Sequence, residues 1–187
     1  RARQHLELAL DLYQPDFMTR FAENFAQEPG IQIRAYYILS LYLLGYPDQA
    51  NNQLEISKDA AAELRHVNTT CYGALHWCML GFMNRNEELA RESNHVMLDR
   101  AQQHGMYTWL AYGQFGQALL QSRDGDLSAL DRLTIAFSNY VAEGDFLFVS
   151  FYRTEQVREF LRHNQTGTAL DAYQQTLDII NKTHERW

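Results

Sequence analysis

The chain contains a break between amphipathic segments that returns at a step of about 40 residues. The related breaks lie at residues 45–50 (GYPDQA), 85–90 (RNEELA), 124–130 (DGDLSAL) and 164–170 (NQTGTAL). Self-similarity at a period of about 20 to 50 residues is typical of proteins built from stacked repeats. Each unit of such a protein packs on its neighbours, so we expect one continuous repeat domain over residues 1–187. The chain begins at Arg1 and ends in mid-pattern, which indicates a fragment of a larger protein.

The secondary structure is predicted to be entirely helical. The chain has only 3 prolines, and each falls at a predicted helix boundary. Pro47 follows Gly45 and suits the first position of a helix, where its missing N–H costs nothing. Residues 147–152 (LFVSFY) are the one segment that a strand could claim, and their place in the repeat favours a helix. Helices are predicted at residues 3–12, 15–27, 31–44, 48–65, 69–84, 87–104, 107–122, 127–143, 147–163 and 167–184.

Each predicted unit consists of a first helix, a short turn and a longer second helix. Apolar residues recur along the second helices at helical spacing, for example at Leu130, Leu133 and Phe137. The last helix carries Leu170, Tyr173, Leu177 and Ile180 in the same way. Such stripes are expected to form the core between helices.

Composition excludes several classes of protein. The net charge is −7, and the 16 basic residues are scattered, so this segment is not expected to bind nucleic acid directly. No apolar run approaches the roughly 18 residues of a membrane span. Cys71 and Cys78 lie about 10 Å apart on one predicted helix, which is too far for a disulfide. Both are expected to be buried in a reducing compartment, the cytoplasm.

The repeat units resemble a known family. Residues 116–119 (GQAL) are similar to the first-helix core of a tetratricopeptide repeat, and residues 45–50 resemble its turn and second-helix start. The similarity covers most of the chain. With residues 43–50, 102–113 and 183–187, it points to the tetratricopeptide region of bacterial multidomain signalling proteins. These are adenylate or guanylate cyclase-like proteins, or transcription regulators, in which an ATPase precedes the repeats. The family position that is normally small is occupied here by Ile38, Cys78 and Val157.

The resemblance implies an all-α fold, an α-solenoid of antiparallel helix pairs wound into a superhelix, with first helices lining a concave groove. Met-rich and aromatic surfaces suit an adaptable peptide groove. The alternative for the same residues is burial against adjacent repeats. Carrying the groove positions over gives Leu39, Tyr42, Leu43, Tyr72, Met79, Phe82, Met83, Leu110, Gln117, Gln121, Arg158 and Arg162.

Other candidate chemistry is weaker in the sequence. His76 and Cys78 point away from each other on a helix, so no metal site and no cofactor are expected. The segment Asp124-Gly125-Asp126 lacks the further ligands of a calcium loop. Glu155 and Glu159 are interpreted as solvated partners of Arg158 and Arg162 in surface salt bridges.

The sequence therefore predicts a non-catalytic interaction or sensor module. It would bind a protein segment or small effector and pass the signal to other domains of a signal-transduction or transcription regulator. The alternative is a structural module without a ligand, which self-associates as a homodimer or scaffold through exposed apolar surface. No enzyme activity is predicted.

Overall fold

The computed structural model describes residues 1–15, 26–142 and 148–183. Within these ranges the chain forms nine α-helices and no strand. The helices are α1 (Ala2–Leu12), α2 (Pro29–Leu43), α3 (Pro47–Leu64), α4 (Val67–Met83), α5 (Glu87–Gln103), α6 (Tyr107–Arg123), α7 (Ala129–Ala142), α8 (Val149–Arg162) and α9 (Thr166–Thr183). The prediction of an all-α fold is confirmed.

Predicted helix boundaries agree with the structure to within about three residues. Pro29 and Pro47 both stand in the first turn of a helix, as expected from their fixed φ. A strand was the alternative for residues 147–152, and residues 149–152 belong to a helix. The predicted helix at 15–27 falls mostly outside the described residues, as do Leu147 and residues 184–187.

The four turns that follow α2, α4, α6 and α8 share one geometry. The sequence predicts these helices as the first helices of their units, and α3, α5, α7 and α9 as the second helices. Each turn contains a residue in the left-handed region: Gly45 (φ 84°), Arg85 (φ 58°), Gly125 (φ 94°) and Asn164 (φ 58°). The next N–H then donates to the carbonyl five residues earlier, which satisfies a carbonyl that the helix leaves unpaired. These bonds are Tyr46–Leu41 (2.9 Å), Asn86–Gly81 (2.9 Å), Asp126–Gln121 (3.1 Å) and Gln165–Phe160 (2.8 Å).

A buried alanine follows each of these turns. Ala50, Ala90 and Ala129 are fully buried, and Ala169 is 2% exposed. In the pair α4–α5, a Cβ placed on Gly81 would lie 2.6 Å from the backbone N of Ala90. The two helices therefore approach each other almost backbone to backbone at this point.

The chain divides into two compact units, Arg1–Trp109 and Leu110–Trp187. In the first unit, α4 packs on α2, α3 and α5. Every residue of α4 from Cys71 to Phe82 is buried, because the helix is apolar on all sides. Cys71 and Cys78 are in this core and form no disulfide, as predicted.

The start of α2 is tied to the start of α4 by Glu28. Its carboxylate accepts hydrogen bonds from the N–H groups of Gly30 and Ile31, both at 2.8 Å. Its own N–H donates to the Thr69 hydroxyl at 2.9 Å. The Glu28 side chain thus caps α2, while its backbone N–H links the start of α2 to α4.

The second unit has an aromatic core from α6, α7 and α8. The rings of Tyr112 and Tyr140 are 4.8 Å apart, and those of Phe115 and Tyr152 are 5.0 Å apart. Tyr112, Phe115, Tyr140 and Tyr152 are all buried. Edge-to-face and tilted ring contacts of this kind add to the energy of apolar burial.

The predicted core stripe of α9 is wrong at Leu170 and Tyr173, whereas Leu177 and Ile180 of the same stripe are half-buried. Leu170 is 65% exposed and Tyr173 is 49% exposed. The face of α9 that packs is instead Ala169, Ala172 and Thr176, and α9 contacts α8 there. Small side chains allow the two helices to approach closely, which turns the larger residues outward.

Candidate functional site

A cavity of about 450 Å³ lies in the first unit, between α3 and α5, and residues of α4 also line it. We call it the Trp77 pocket. Its polar lining comes from Lys58, Arg65, Thr70, Glu92, Ser93 and Arg100, and its apolar lining from Ala61, Ala62, Val67, Trp77 and Val96. The helices α3 and α5 both pack on α4, and residues of all three helices line the space between α3 and α5.

Trp77 forms the apolar floor of the pocket and is held in one orientation. Its indole N–H donates to the Ser57 hydroxyl at 3.2 Å, and the side chain is only 4% exposed. Gly73 makes room for the ring, since a Cβ on Gly73 would lie 2.7 Å from Cζ2 of Trp77. The indole is therefore held in one place by its hydrogen bond and its close packing.

The pocket is lined by three basic side chains and one acidic side chain. The ammonium of Lys58 bridges α3 and α5 by pairing with Glu92 at 3.2 Å, and it lies 3.9 Å from Glu55. Arg65 ends α3 in the left-handed conformation (φ 53°). Among the described residues, neither Arg65 nor Arg100 has an ion-pair partner. The lining thus carries an excess of positive charge.

Ser93 is the buried polar group of the pocket. It is 1% exposed, and its hydroxyl has no hydrogen-bond partner within the described ranges. Serines in helices usually donate to the carbonyl four residues earlier, and this one does not. A buried hydroxyl without a partner costs stability, so its presence needs an explanation.

Cys71 lies near this site but is not a reactive thiol. Burial raises its pKa to about 11, although the positive charge of Arg100 acts in the opposite direction. Its Sγ contacts the carbonyl of Met97 at 3.8 Å. A thiol that stays protonated at neutral pH is a poor nucleophile.

The second unit contains a buried cluster of charges, and here one expectation is wrong. Glu155 and Glu159 are not solvated, because their side chains are 1% and 0% exposed. Both pair with the buried guanidinium of Arg123, at 2.7 Å and 3.5 Å. The predicted partners are correct, since Arg158 pairs with Glu155 and Arg162 with Glu159 at 3.3 Å. Burial raises the pKa of Glu155, and the nearby Arg158 and Arg123 lower it.

A serine and a histidine join this cluster. The Ser122 hydroxyl donates to Glu159 at 2.9 Å, and Nε2 of His163 lies 2.9 Å from the Ser122 carbonyl and 3.1 Å from its hydroxyl. In a nucleophilic pair the histidine accepts the serine proton. Here the hydroxyl proton goes to a carboxylate, and the serine is fully buried. The arrangement is that of a structural network.

His76 is likewise a core residue. Its Nδ1 contacts the Tyr72 carbonyl at 2.9 Å, and its ring packs against those of Tyr72 and Tyr36. Burial lowers its pKa to about 4, so the ring is neutral at physiological pH. In the part of the chain that the structure describes, no three His, Cys, Asp or Glu residues are placed to hold a metal ion.

The residues predicted to line a groove fall in both units. Four of those in the first unit are at most 8% exposed: Leu39, Tyr72, Met79 and Phe82. These four side chains are buried in the core of the unit, which is the alternative that the sequence left open for them. Tyr42 and Met83 are half-buried, Leu43 is exposed, and the Tyr42 hydroxyl donates to the Met83 carbonyl at 3.0 Å. In the second unit, Leu110 and Gln121 are half-buried, and Gln117, Arg158 and Arg162 are exposed.

Sequence reasoning missed the Trp77 pocket. One signal was present on α5, where Leu89, Ser93 and Met97 follow each other at steps of one helical turn and all are buried. A serine inside such an apolar stripe indicates a polar feature in the core. The arginines across the space could not be assigned to it, because the spacing of α3 and α5 is a tertiary property.

Compared with family models, with curated proteins and with solved structures, the chain finds no match. Within the described ranges, no helix combines the length and the apolar character needed to cross a bilayer.

Proposed function

We propose that the chain is an α-solenoid of antiparallel helix pairs, similar to a tetratricopeptide region, that binds a protein segment or small effector. The observation that supports this most directly is the recurrence of one turn geometry. Positions 45, 85, 125 and 164 are all left-handed, and a buried alanine follows each turn. Repeats of this kind present extended surfaces, and their energy comes from packing between neighbours.

The proposed setting is the cytoplasm of a bacterium, within a signal-transduction or transcription regulator. The sequence resemblance of residues 43–50 and 102–113 to such regulators supports it. The module acts there without catalysis. Its occupied and empty states would be distinguished by output domains of the parent protein.

The first helices carry the proposed partner surface, and photo-crosslinking tests this. Benzoylphenylalanine would be placed at Leu43 on α2 or at Gln117 on α6, both exposed. Matched controls are Ile56 on α3 and Ile135 on α7, which are exposed on second helices. We expect one common adduct from the two first-helix positions only. Equal adducts from all four positions would contradict the placement of the surface.

The alternative function is a self-association module without a ligand. It is favoured by one observation, the exposed apolar residues Leu170 and Tyr173 on α9. Benzoylphenylalanine at Tyr173 on α9 tests this alternative, which predicts adducts with twice the mass of the chain from that position and no other partner.

A further inference from the structure

We propose that the Trp77 pocket binds a small organic anion that carries a carboxylate or phosphate group on an apolar body. The inference rests on the proposed function, because it names the ligand class of a binding module. It concerns the space between second helices, away from the first-helix surface considered above.

The first step is the unmatched charge. Arg65 and Arg100 both line the pocket, and no carboxylate among the described residues pairs with either. Glu92 is already engaged by Lys58 at 3.2 Å. Guanidinium groups bind carboxylates and phosphates through charge-assisted hydrogen bonds, so an anion is the ligand that these two arginines favour.

The second step is the Ser93 hydroxyl. It is 1% exposed, lines the cavity and lacks a partner within the described part of the chain. An oxyanion in the pocket would accept its proton and remove the cost of an unpaired buried donor. The hydroxyl therefore indicates a ligand with an acceptor oxygen deep in the pocket.

The third step is the apolar wall. Trp77, Val67 and Val96 belong to the apolar lining of the pocket, and the indole is held by its hydrogen bond to Ser57. The volume of about 450 Å³ lies within the range of small-molecule sites, roughly 300 to 1,000 Å³. A bare inorganic ion would leave this wall uncovered, which favours an anion with an apolar or aromatic body.

The second unit provides an internal comparison. A cavity of about 600 Å³ lies between α7 and α9, where Asp171, Ala172 and Gln175 stand in the same register as Glu92, Ser93 and Val96. There the cation that lines the cavity has partners within the chain. The Arg153 guanidinium lies 4.5 Å from the centre of the Phe137 ring and donates to Gln156 at 2.6 Å and to Gln175. In the Trp77 pocket, Arg65 and Arg100 have no ion-pair partner among the described residues, and Ser93 stands where the second unit has Ala172.

NMR spectroscopy of the indole N–H groups tests the proposal on the whole chain. The probe is naphthyl phosphate, which combines an anion with a flat apolar body. We expect it to shift the Trp77 resonance in a saturable way, and to leave the Trp109 resonance of the same unit unchanged. Naphthol, which lacks the charge, is expected to bind at least about tenfold more weakly.

Variants of the pocket give the second readout. The pair Arg65→Gln and Arg100→Gln is expected to weaken probe binding at least about tenfold. Arg91→Gln, on α5 but outside the pocket lining, is the matched control and should leave the affinity unchanged. Ser93→Ala separates binding from folding. It should weaken the probe severalfold while the thermal midpoint stays the same or rises, because an unpartnered hydroxyl is removed.

Three results would overturn the proposal: no Trp77 shift at millimolar probe, equal binding of naphthol, or an affinity that the double arginine variant does not change. An equal shift with inorganic phosphate would overturn the apolar half of it. The first-helix crosslinks report separately on the proposed function. Crosslinks without probe binding would refute the pocket alone, and probe binding without crosslinks would refute the partner surface alone.

Discussion

The four turn residues with positive φ differ in the steric penalty of their backbone conformation. Gly45 and Gly125 adopt positive φ without steric penalty, whereas Arg85 holds φ 58° with a Cβ that crowds its own carbonyl. Asn164 lies between, since its short polar side chain tolerates this region. The backbone of Arg85 is therefore slightly strained.

Replacing Arg85 by glycine should stabilise the chain by about 1 kcal/mol, because the strain is relieved without loss of a described contact. Urea unfolding monitored by circular dichroism measures the change. Gln174→Gly, in the middle of α9, is the control and should cost about 0.5 kcal/mol. A lower stability of the Arg85→Gly variant would show that the arginine side chain contributes more than its backbone costs.

His76 makes stability depend on pH. Burial lowers its pKa from 6.5 to about 4, so the folded state prefers the neutral ring. The contribution is complete above the unfolded pKa of 6.5 and is lost as the pH falls towards the folded pKa of about 4. The total loss is on the order of 3 kcal/mol.

The measurement is the unfolding free energy of wild type and His76→Phe across this range. The variant is expected to lose less stability on acidification than wild type does. Parallel curves for the two proteins would contradict the assignment, since carboxylates elsewhere titrate equally in both.

At the scale of elements, the close approach of α4 and α5 depends on Gly81. Gly81→Ala would place a methyl group 2.6 Å from the Ala90 nitrogen and should destabilise the chain by about 1–3 kcal/mol. Gly167→Ala, in the first turn of α9, has no atom within 4 Å of the new Cβ and should be neutral or stabilising. Thermal unfolding compares them, and equal midpoints would show that α5 moves away at little cost.

The Arg123 cluster is a second link between elements. Arg123→Leu leaves two buried carboxylates without their shared cation, so we expect a loss of about 3 kcal/mol or more. Arg158 pairs with the same Glu155 but is 63% exposed, and Arg158→Gln should cost less than about 1 kcal/mol. Chemical denaturation of both variants measures the difference. Similar losses would mean that the exposed pair matters as much as the buried one.

The positions of the helices could be predicted from the sequence, but the packing of one helix against another could not. Caps, prolines and turn residues such as Gly45 and Pro47 act within a few residues, so they are readable locally. The burial of Glu155 depends on Arg123, which comes from another helix. The packed face of α9 depends on where α8 lies, so apolar spacing alone selected Leu170 and Tyr173 in place of Ala169 and Ala172.

At the scale of the whole molecule, the two functions differ in concentration dependence. The binding module is expected to remain a monomer of 21.8 kDa over a light-scattering series. A mass that doubles with concentration would favour self-association. In that case Leu170→Glu combined with Tyr173→Glu should restore the monomer, because it places charges on the exposed face of α9.

The two cysteines give the first unit a reporter of its own opening. Cys71 is fully buried, Cys78 is 3% exposed, and burial raises the pKa of Cys71 to about 11. A thiol reagent can modify them only after α4 has separated from its neighbours. The labelling rate of the unaltered protein therefore measures how often this helix is released, and a ligand that stabilises the closed unit would slow that rate in proportion to its occupancy.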